Sequence, residues 1–399
     1  MAGEVLYKEL EPAEWLDDII AKGVSAGASD IHLDPLLEKF VVHFRIDGVL
    51  HEAETGSLPF LDKVISRLKI MAQLDITENR KPADGHILFK PKHEINSQLI
   101  DLRISVFPTV LGSAAAIRIL NRKDLVFKDL ENLGLDKETA EKLKIVINRS
   151  GGMVLVTGPG GSGKTTTLYT FLSFLQSAGP RRNIVTLEDP AELYLPGIRQ
   201  SQIRPEIGYS FADGLRSILR QDPDVVMVGE IRDDETAETS IRAALMGALF
   251  FSTMHTINSV GAITRFLEFG LPRSLVASAL LTIIAQRLVK TICPHCKTKI
   301  KPGEKIIGIS EFPKGSESKL FRGNGCGACS NSGYLGRAGI FEVMFVDREI
   351  QRLIIEGSPF TEIEKKAKEN SMKTLKEAAI QKALEGVTTA EEVVRVIPL

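Results

Sequence analysis

No apolar run in the 399-residue sequence approaches the roughly 18–20 residues that a membrane-spanning helix needs. The opening stretch, MAGEVLYKELEPAEW, lacks the basic-then-apolar pattern of a secretory signal. These two absences predict a cytoplasmic protein that meets a membrane only through partners. Neither charge sign dominates: 50 Lys and Arg stand against 51 Asp and Glu, a net charge of −1. With no overall basic field, direct binding of nucleic acid is not expected. Aromatic residues are few, at 6%, yet hydrophobic residues make up 43%, enough for cores in two or three domains. There are no internal repeats and no low-complexity segment.

Only four cysteines occur, and they come in two pairs: Cys293-Pro-His-Cys296 and Cys326-Gly-Ala-Cys329. In a reducing compartment this spacing points to a metal site rather than disulfides. The 29 residues between the pairs suit a closed four-thiolate structural zinc site, with two sulfurs per knuckle. Four thiolates leave no open position for water. His295 lies inside the first knuckle, but the cysteines suffice without it. A redox pair is disfavoured because no thioredoxin-like setting surrounds either motif.

The chain is organised around residues 151–167, GGMVLVTGPGGSGKTTT. Met153–Val156 reads as a buried strand. Gly158, Pro159, Gly160, Gly161, Ser162, Gly163, Lys164 and Thr165 then spell the phosphate-binding loop G-x-x-x-x-G-K-T, with Thr166 following. Glycines let successive backbone N–H groups turn inward around a phosphate. The next helix, predicted from Thr165 to about Phe174, points its positive end at the same anion. Lys164 would reach the β- and γ-oxygens of ATP, and the Thr165 hydroxyl would ligate Mg²⁺.

Further polar residues close further predicted strands. Ile184–Leu187 ends in Glu188-Asp189, Val225–Val228 ends in Gly229-Glu230, and Leu249–Thr253 precedes His255. In open parallel sheets ligands bind at the carboxyl ends of strands. Glu188 and Glu230 are therefore candidate catalytic carboxylates. One would hold metal and the other polarise water, and the spacing leaves open which does which. His255 is placed to contact phosphate. Arg216, Arg220 and Arg232 are cations near these strand ends, and Arg103 and Arg118 lie on earlier predicted strands.

The expected layout starts with an α+β domain over 1–120, with helices at 11–28 and 58–74 and a hairpin turn at Asp47-Gly48. A linker over 121–135 follows, then an α/β nucleotide-binding core over 136–292. The cysteine element and its return to the core span 293–346, and a helical region runs from 347 to 399.

Taken in order, SDIHLDP…FRIDGVL, GPGGSGKTTTLY, TLEDPAE, LRSILRQDPDVVMVGEIRD, STMHTINSVGAITR and the paired CxxC closely resemble the assembly ATPases of type II secretion and type IV pili. These are the general secretory pathway protein E and pilus assembly protein B family, and the resemblance runs from about residue 11 to the end. It implies a homohexameric ring of RecA-like ATPase domains, each preceded by a small PAS-like domain. It implies ATP hydrolysis that drives pilus or pseudopilus assembly through an inner-membrane platform protein, with a membrane-anchored cytoplasmic-neck protein as a further partner. By the same match Glu188 falls in the family's aspartate box, Glu230 in its Walker B strand and His255 in its histidine box. Arg103 and Arg118 match arginines that close over the phosphates, and Arg216, Arg220 and Arg232 match others of the nucleotide site. The cysteines match an element of the assembly branch that retraction ATPases lack. Longer members carry an extra N-terminal docking domain, so either a short form or a trimmed chain is expected. Two rival readings remain. One is a DNA-uptake or conjugation ring ATPase, which a basic channel lining would favour. The other is a nucleotide-gated zinc scaffold without turnover, which an incomplete carboxylate set would favour.

Overall fold

A computed structural model describes residues 11–46, 48–90, 100–119, 129–301, 304, 306 and 308–397. Asp47 of the predicted hairpin turn, Leu120 and residues 121–128 of the predicted linker lie outside the described residues. The chain divides into two compact units, Met1–Lys123 and Asp124–Leu399.

In the first unit, apolar residues at helical spacing form α1 (Pro12–Ser25), which buries Trp15, Leu16, Ile19 and Ile20. The helix stops short of the predicted Ala28 because Gly27 adopts φ +70°, the left-handed conformation that terminates helices. Strands β1 (Asp30–Pro35), β2 (Phe40–Ile46) and β3 (Val49–Gly56) follow, then α2 (Leu58–Met71). Strands β4 (Ala83–Phe89), β5 (Ile100–Thr109) and β6 (Gly112–Ile119) complete an antiparallel sheet of order β3-β2-β1-β6-β5-β4. Alternation along β1 and β6 sends Ile31, Leu33, Ala115 and Ile117 into one core with the apolar sides of α1 and α2. The opposite face is polar. Arg45, Asp30, Arg118, Arg103 and His86 are successive cross-strand neighbours on it.

The second unit alternates helix and strand: α3 (Lys137–Ile147), β7 (Gly152–Thr157), α4 (Lys164–Ser177), β8 (Ile184–Glu188), β9 (Arg199–Gln202), α5 (Phe211–Ile218), β10 (Val225–Val228), α6 (Asp234–Leu245), β11 (Leu249–Met254) and α7 (Ser259–Glu268). Then come α8 (Arg273–Ala279), β12 (Leu280–Ile292), a small β13 (Lys297–Lys299) and β14 (Phe321–Gly323) pair, and β15 (Tyr334–Phe345). Four helices close the chain: α9 (Arg348–Glu356), α10 (Phe360–Glu369), α11 (Leu375–Leu384) and α12 (Ala390–Val396).

The main sheet has the order β15-β12-β7-β11-β10-β8-β9. Every neighbouring pair is parallel except β15 on β12. Strands β7, β8, β10 and β11 are buried along their whole length, as continuous apolar runs require when helices cover both faces. Separate cores fill the two faces, one under α5–α8 and one under α3 and α4. The long β12–β15 ribbon has no counterpart among the strands expected from the sequence. α8 runs into β12 with no intervening loop, so the sequence carries no turn signal there.

Candidate nucleotide and cysteine sites

The loop after β7 turns at Gly158, at φ +152°, and at Gly163, at φ +87°. Gly163 is the N-cap of α4, and no side chain caps that helix. In the same unit α3, α5, α6 and α7 are capped by Asp136, Ser210, Asp233 and Asn258. The first N–H groups of α4 thus stay open to an anion. Gln286 and Arg287 on β12 stand directly behind the loop. A Cβ on Gly158 would lie 2.5 Å from the Gln286 carbonyl, and one on Gly163 would lie 2.8 Å from Gln286 Nε2. The Ser162 hydroxyl is buried in the loop without a hydrogen-bond partner. Lys164 Nζ donates to the loop carbonyls of Gly158 and Pro159, at 2.8 and 3.0 Å. Burial holds its ammonium below the ordinary range, while Glu230 pulls the other way.

Glu230 sits just beyond β10. Its carboxylate pairs with Arg232 and lies 3.2 Å from His255 Nε2. Arg232 also reaches Asp189 at 3.7 Å. Hydrogen bonding to Glu230 raises the Arg232 pKa further. The segment after β11 that carries His255 is tied to the loop strand. The Thr256 N–H donates to Thr157 Oγ1 at 2.9 Å, and the two hydroxyls are 2.6 Å apart.

Glu188 is placed differently. It is 2% exposed, and both of its oxygens are occupied within the unit. Thr186 and Gln200 donate to Oε1 at 2.5 and 3.0 Å, and the Tyr169 hydroxyl donates to Oε2. Burial raises the Glu188 pKa despite these donors. The carboxylate that meets the loop is Glu192, whose Oε1 accepts from the Thr165 hydroxyl at 3.1 Å. Glu192 closes the TLEDPAE run but lies beyond the strand, outside the strand-end pattern that singles out Glu188. Thr165, Glu192 and Glu230 offer hard oxygen donors of the kind Mg²⁺ takes.

The arginines separate into groups. Arg232 joins the Glu230 cluster. Arg216 pairs with Glu235 and Asp213, and Arg220 donates to the Arg216 carbonyl and to Ser217. Among the described residues neither Arg216 nor Arg220 bonds to the phosphate loop. Arg103 and Arg118 are cross-strand neighbours in the first unit, where Arg118 also pairs with Asp30 at 2.9 Å.

The four cysteine sulfurs lie within 4.8 Å of one another. Cys293–Cys326, Cys296–Cys329 and Cys326–Cys329 are 3.8, 3.9 and 3.7 Å apart. Sulfurs about 2.3 Å from a tetrahedral zinc would be separated by ~3.8 Å, so the set fits that ion. Burial opposes a charged Cys329, but N–H groups of Cys326 and Gly333 donate to its Sγ and lower its pKa overall. Among the described residues no helix is long and apolar enough to cross a membrane.

A parallel α/β sheet, a glycine loop at the head of an uncapped helix and strand-end carboxylates define a P-loop ATPase. The profile of the family described as Type II/IV secretion system protein matches residues 8–395, and the chain belongs to that family. It is 41% identical over 381 residues to type II secretion system protein E of Pseudomonas aeruginosa, covering 96% of this chain and 74% of that protein. It is 41% identical over 383 residues to the type IV pilus assembly ATPase PilB of Thermus thermophilus, covering 95% of this chain and 42% of that one. Among solved structures, the pilus retraction motor PilT with bound ADP superposes with a TM-score of 0.65 at 26% identity, over 95% of this chain and 96% of that chain. The ATPase DotB of Legionella pneumophila shares the fold, with a TM-score of 0.71 at 20% identity over 98% and 97%.

Proposed function

We propose that the chain is the ATP-hydrolysing subunit of a homohexameric motor that drives assembly of a pilus or a type II secretion pseudopilus. It would act on an inner-membrane platform protein, from the cytoplasm and through partners. The observation that carries the reading is the cluster of Lys164, Thr165, Glu192, Glu230 and His255 at one edge of the parallel sheet. Loop N–H groups and Lys164 would hold the β- and γ-phosphates of ATP. Thr165, with Glu230 behind it, would hold Mg²⁺, which when bound offsets charge on the phosphate oxygens. Glu192, rather than Glu188, would orient the attacking water, because only Glu192 reaches the loop. His255 and Arg232 would fix Glu230 and meet the phosphate, with Arg216 and Arg220 available at a subunit boundary. Arg103 and Arg118 are the cations that the domain over 1–120 offers to an anionic ligand. The cysteine element over 293–346 would hold a structural Zn²⁺.

Mg²⁺-dependent ATP hydrolysis is measured against protein concentration, beside Glu230→Gln. Activity rising faster than linearly with concentration and lost in Glu230→Gln is expected of a ring with shared sites. Strictly linear activity from a species sized as a monomer would overturn the ring, and no activity would overturn the motor.

A further inference from the structure

Arg287 is 6% exposed and lies against the phosphate loop, yet no carboxylate comes within 4.0 Å of its guanidinium among the described residues. An unpaired buried cation is costly, so its place calls for an explanation. Its hydrogen-bond partners are neutral carbonyls. Nη1 donates to the Gln286 carbonyl at 2.9 Å, and Nη2 donates to the Ile257 carbonyl at 2.8 Å. Nη1 also stands 3.1 Å from where a Gly158 Cβ would be. One planar group therefore bonds the segment that carries His255 and, beside the carbonyl of its strand neighbour Gln286, stands next to the first turn of the loop. That segment begins after β11 and ends at Asn258, the cap of α7. Beyond it, Glu342 of β15 accepts from the Ser259 N–H at 2.8 Å and from the Leu375 N–H at 3.1 Å. Glu342 is also the acid whose field reaches Arg287.

We propose that Arg287 is a positioning residue for hydrolysis: it fixes residues 255–257 against the phosphate loop, so that His255 holds its place beside Glu230. A guanidinium suits this task because its donors diverge in one rigid plane and can hold two carbonyls of different segments. A neutral side chain of similar length would span only one of them. Arg287 acts through His255 and not on the nucleotide, so its loss should slow turnover more than it weakens binding. The inference rests on the proposed role of His255 in hydrolysis.

The test uses the full chain with Arg287→Gln, Arg287→Lys, His255→Ala and the double variant Arg287→Gln/His255→Ala. ATP turnover, equilibrium binding of a fluorescent ADP analogue and thermal unfolding are followed together. Arg287→Gln is expected to lower kcat about tenfold while the ADP-analogue Kd changes less than about threefold. Arg287→Lys recovers part of the loss. The double variant turns over no more slowly than His255→Ala alone, because both changes act through one segment. Multiplying losses in the double variant, or a Kd that weakens as much as kcat falls, would overturn the inference. If Arg287→Gln does not fold, Arg287→Lys carries the same cycle with His255→Ala. An unchanged kcat in His255→Ala alone instead defeats the role proposed for His255, so the two failures are distinguishable.

Discussion

The Thr165 hydroxyl donates to Glu192 Oε1 at 3.1 Å, at the start of the helix that follows the phosphate loop. Glu188, on the last residue of β8, instead has both oxygens saturated by Thr186, Gln200 and Tyr169. The two glutamates should therefore differ sharply on neutralisation. Glu192→Gln is expected to lower kcat by about 100-fold or more, the scale of a lost general base. Glu188→Gln should stay within about tenfold of the native rate, since it reaches the site indirectly, through Tyr169, whose hydroxyl accepts from the Glu192 N–H, and through charge repulsion with Glu192. Steady-state hydrolysis at saturating ATP decides between them, and equal losses would place both glutamates in the catalytic set.

Glu188 also carries a pH signature. Burial raises its pKa in the folded chain, so the folded state binds this proton more readily than the unfolded state. Its contribution to stability is full below the unfolded value, roughly 4.3. It then declines as pH rises through that value toward the folded one. Glu188→Gln has no proton to lose. The melting temperature of the variant minus that of the native chain should thus become more positive as pH rises from about 4, below the unfolded value, to about 7.5, by roughly 2–4 °C per kcal/mol of native destabilisation. A difference that does not change with pH would mean that Glu188 ionises as readily inside as outside.

The parts of this site that were legible in the sequence are those whose chemistry is local. The phosphate loop, the strand ending at Glu230 and the cysteine knuckles are each spelled by adjacent residues. A strand-end acid such as Glu188 and a loop acid such as Glu192 look alike in sequence without the side-chain direction. At that strand end the carboxylate turns back into the unit toward Thr186 and Tyr169. Gln286 and Arg287 were invisible for a different reason. They reach the loop by sheet pairing, since Ala285 of β12 sits opposite Thr157 of β7, more than a hundred residues earlier. In the first unit the row Arg45, Asp30, Arg118, Arg103 and His86 likewise depends on register across five strands. Alternation gave the core face of that sheet, but only the pairing puts its cations side by side.

The cysteine cluster predicts a metal stoichiometry. With sulfur separations of 3.8 and 3.9 Å across the knuckles and 3.7 Å within the second, one zinc per chain should copurify and be read by elemental analysis. Cys326→Ser should release most of it. The β13–β14 pair that lies between the knuckles buries little apolar surface, so metal loss should expose it to proteolysis before the ATPase sheet unfolds. A chain free of metal and equally resistant would show that the thiols are held by packing alone.

The loop glycines are not equivalent, and single alanines separate them. Gly163 has φ +87°, and its Cβ would meet buried Gln286 Nε2 at 2.8 Å, where Thr167 already fixes the same side chain through Gln286 Oε1. Gly163→Ala must therefore strain the backbone and displace the amide, at a cost of about 1–3 kcal/mol. Gly160 has open space around its Cβ direction and no left-handed φ. Gly160→Ala should leave the melting temperature of the nucleotide-free chain within about 1 °C, since surface changes away from special geometry are close to neutral. Its effect on affinity for an ADP analogue then reports directly on the bound ligand. If Gly160→Ala weakens binding at unchanged stability, that methyl occupies space the phosphates need, and the open side of the loop is the anion site. If binding is unchanged, the phosphates approach from the α4 end, where the uncapped N–H groups of Lys164 and Thr165 lie.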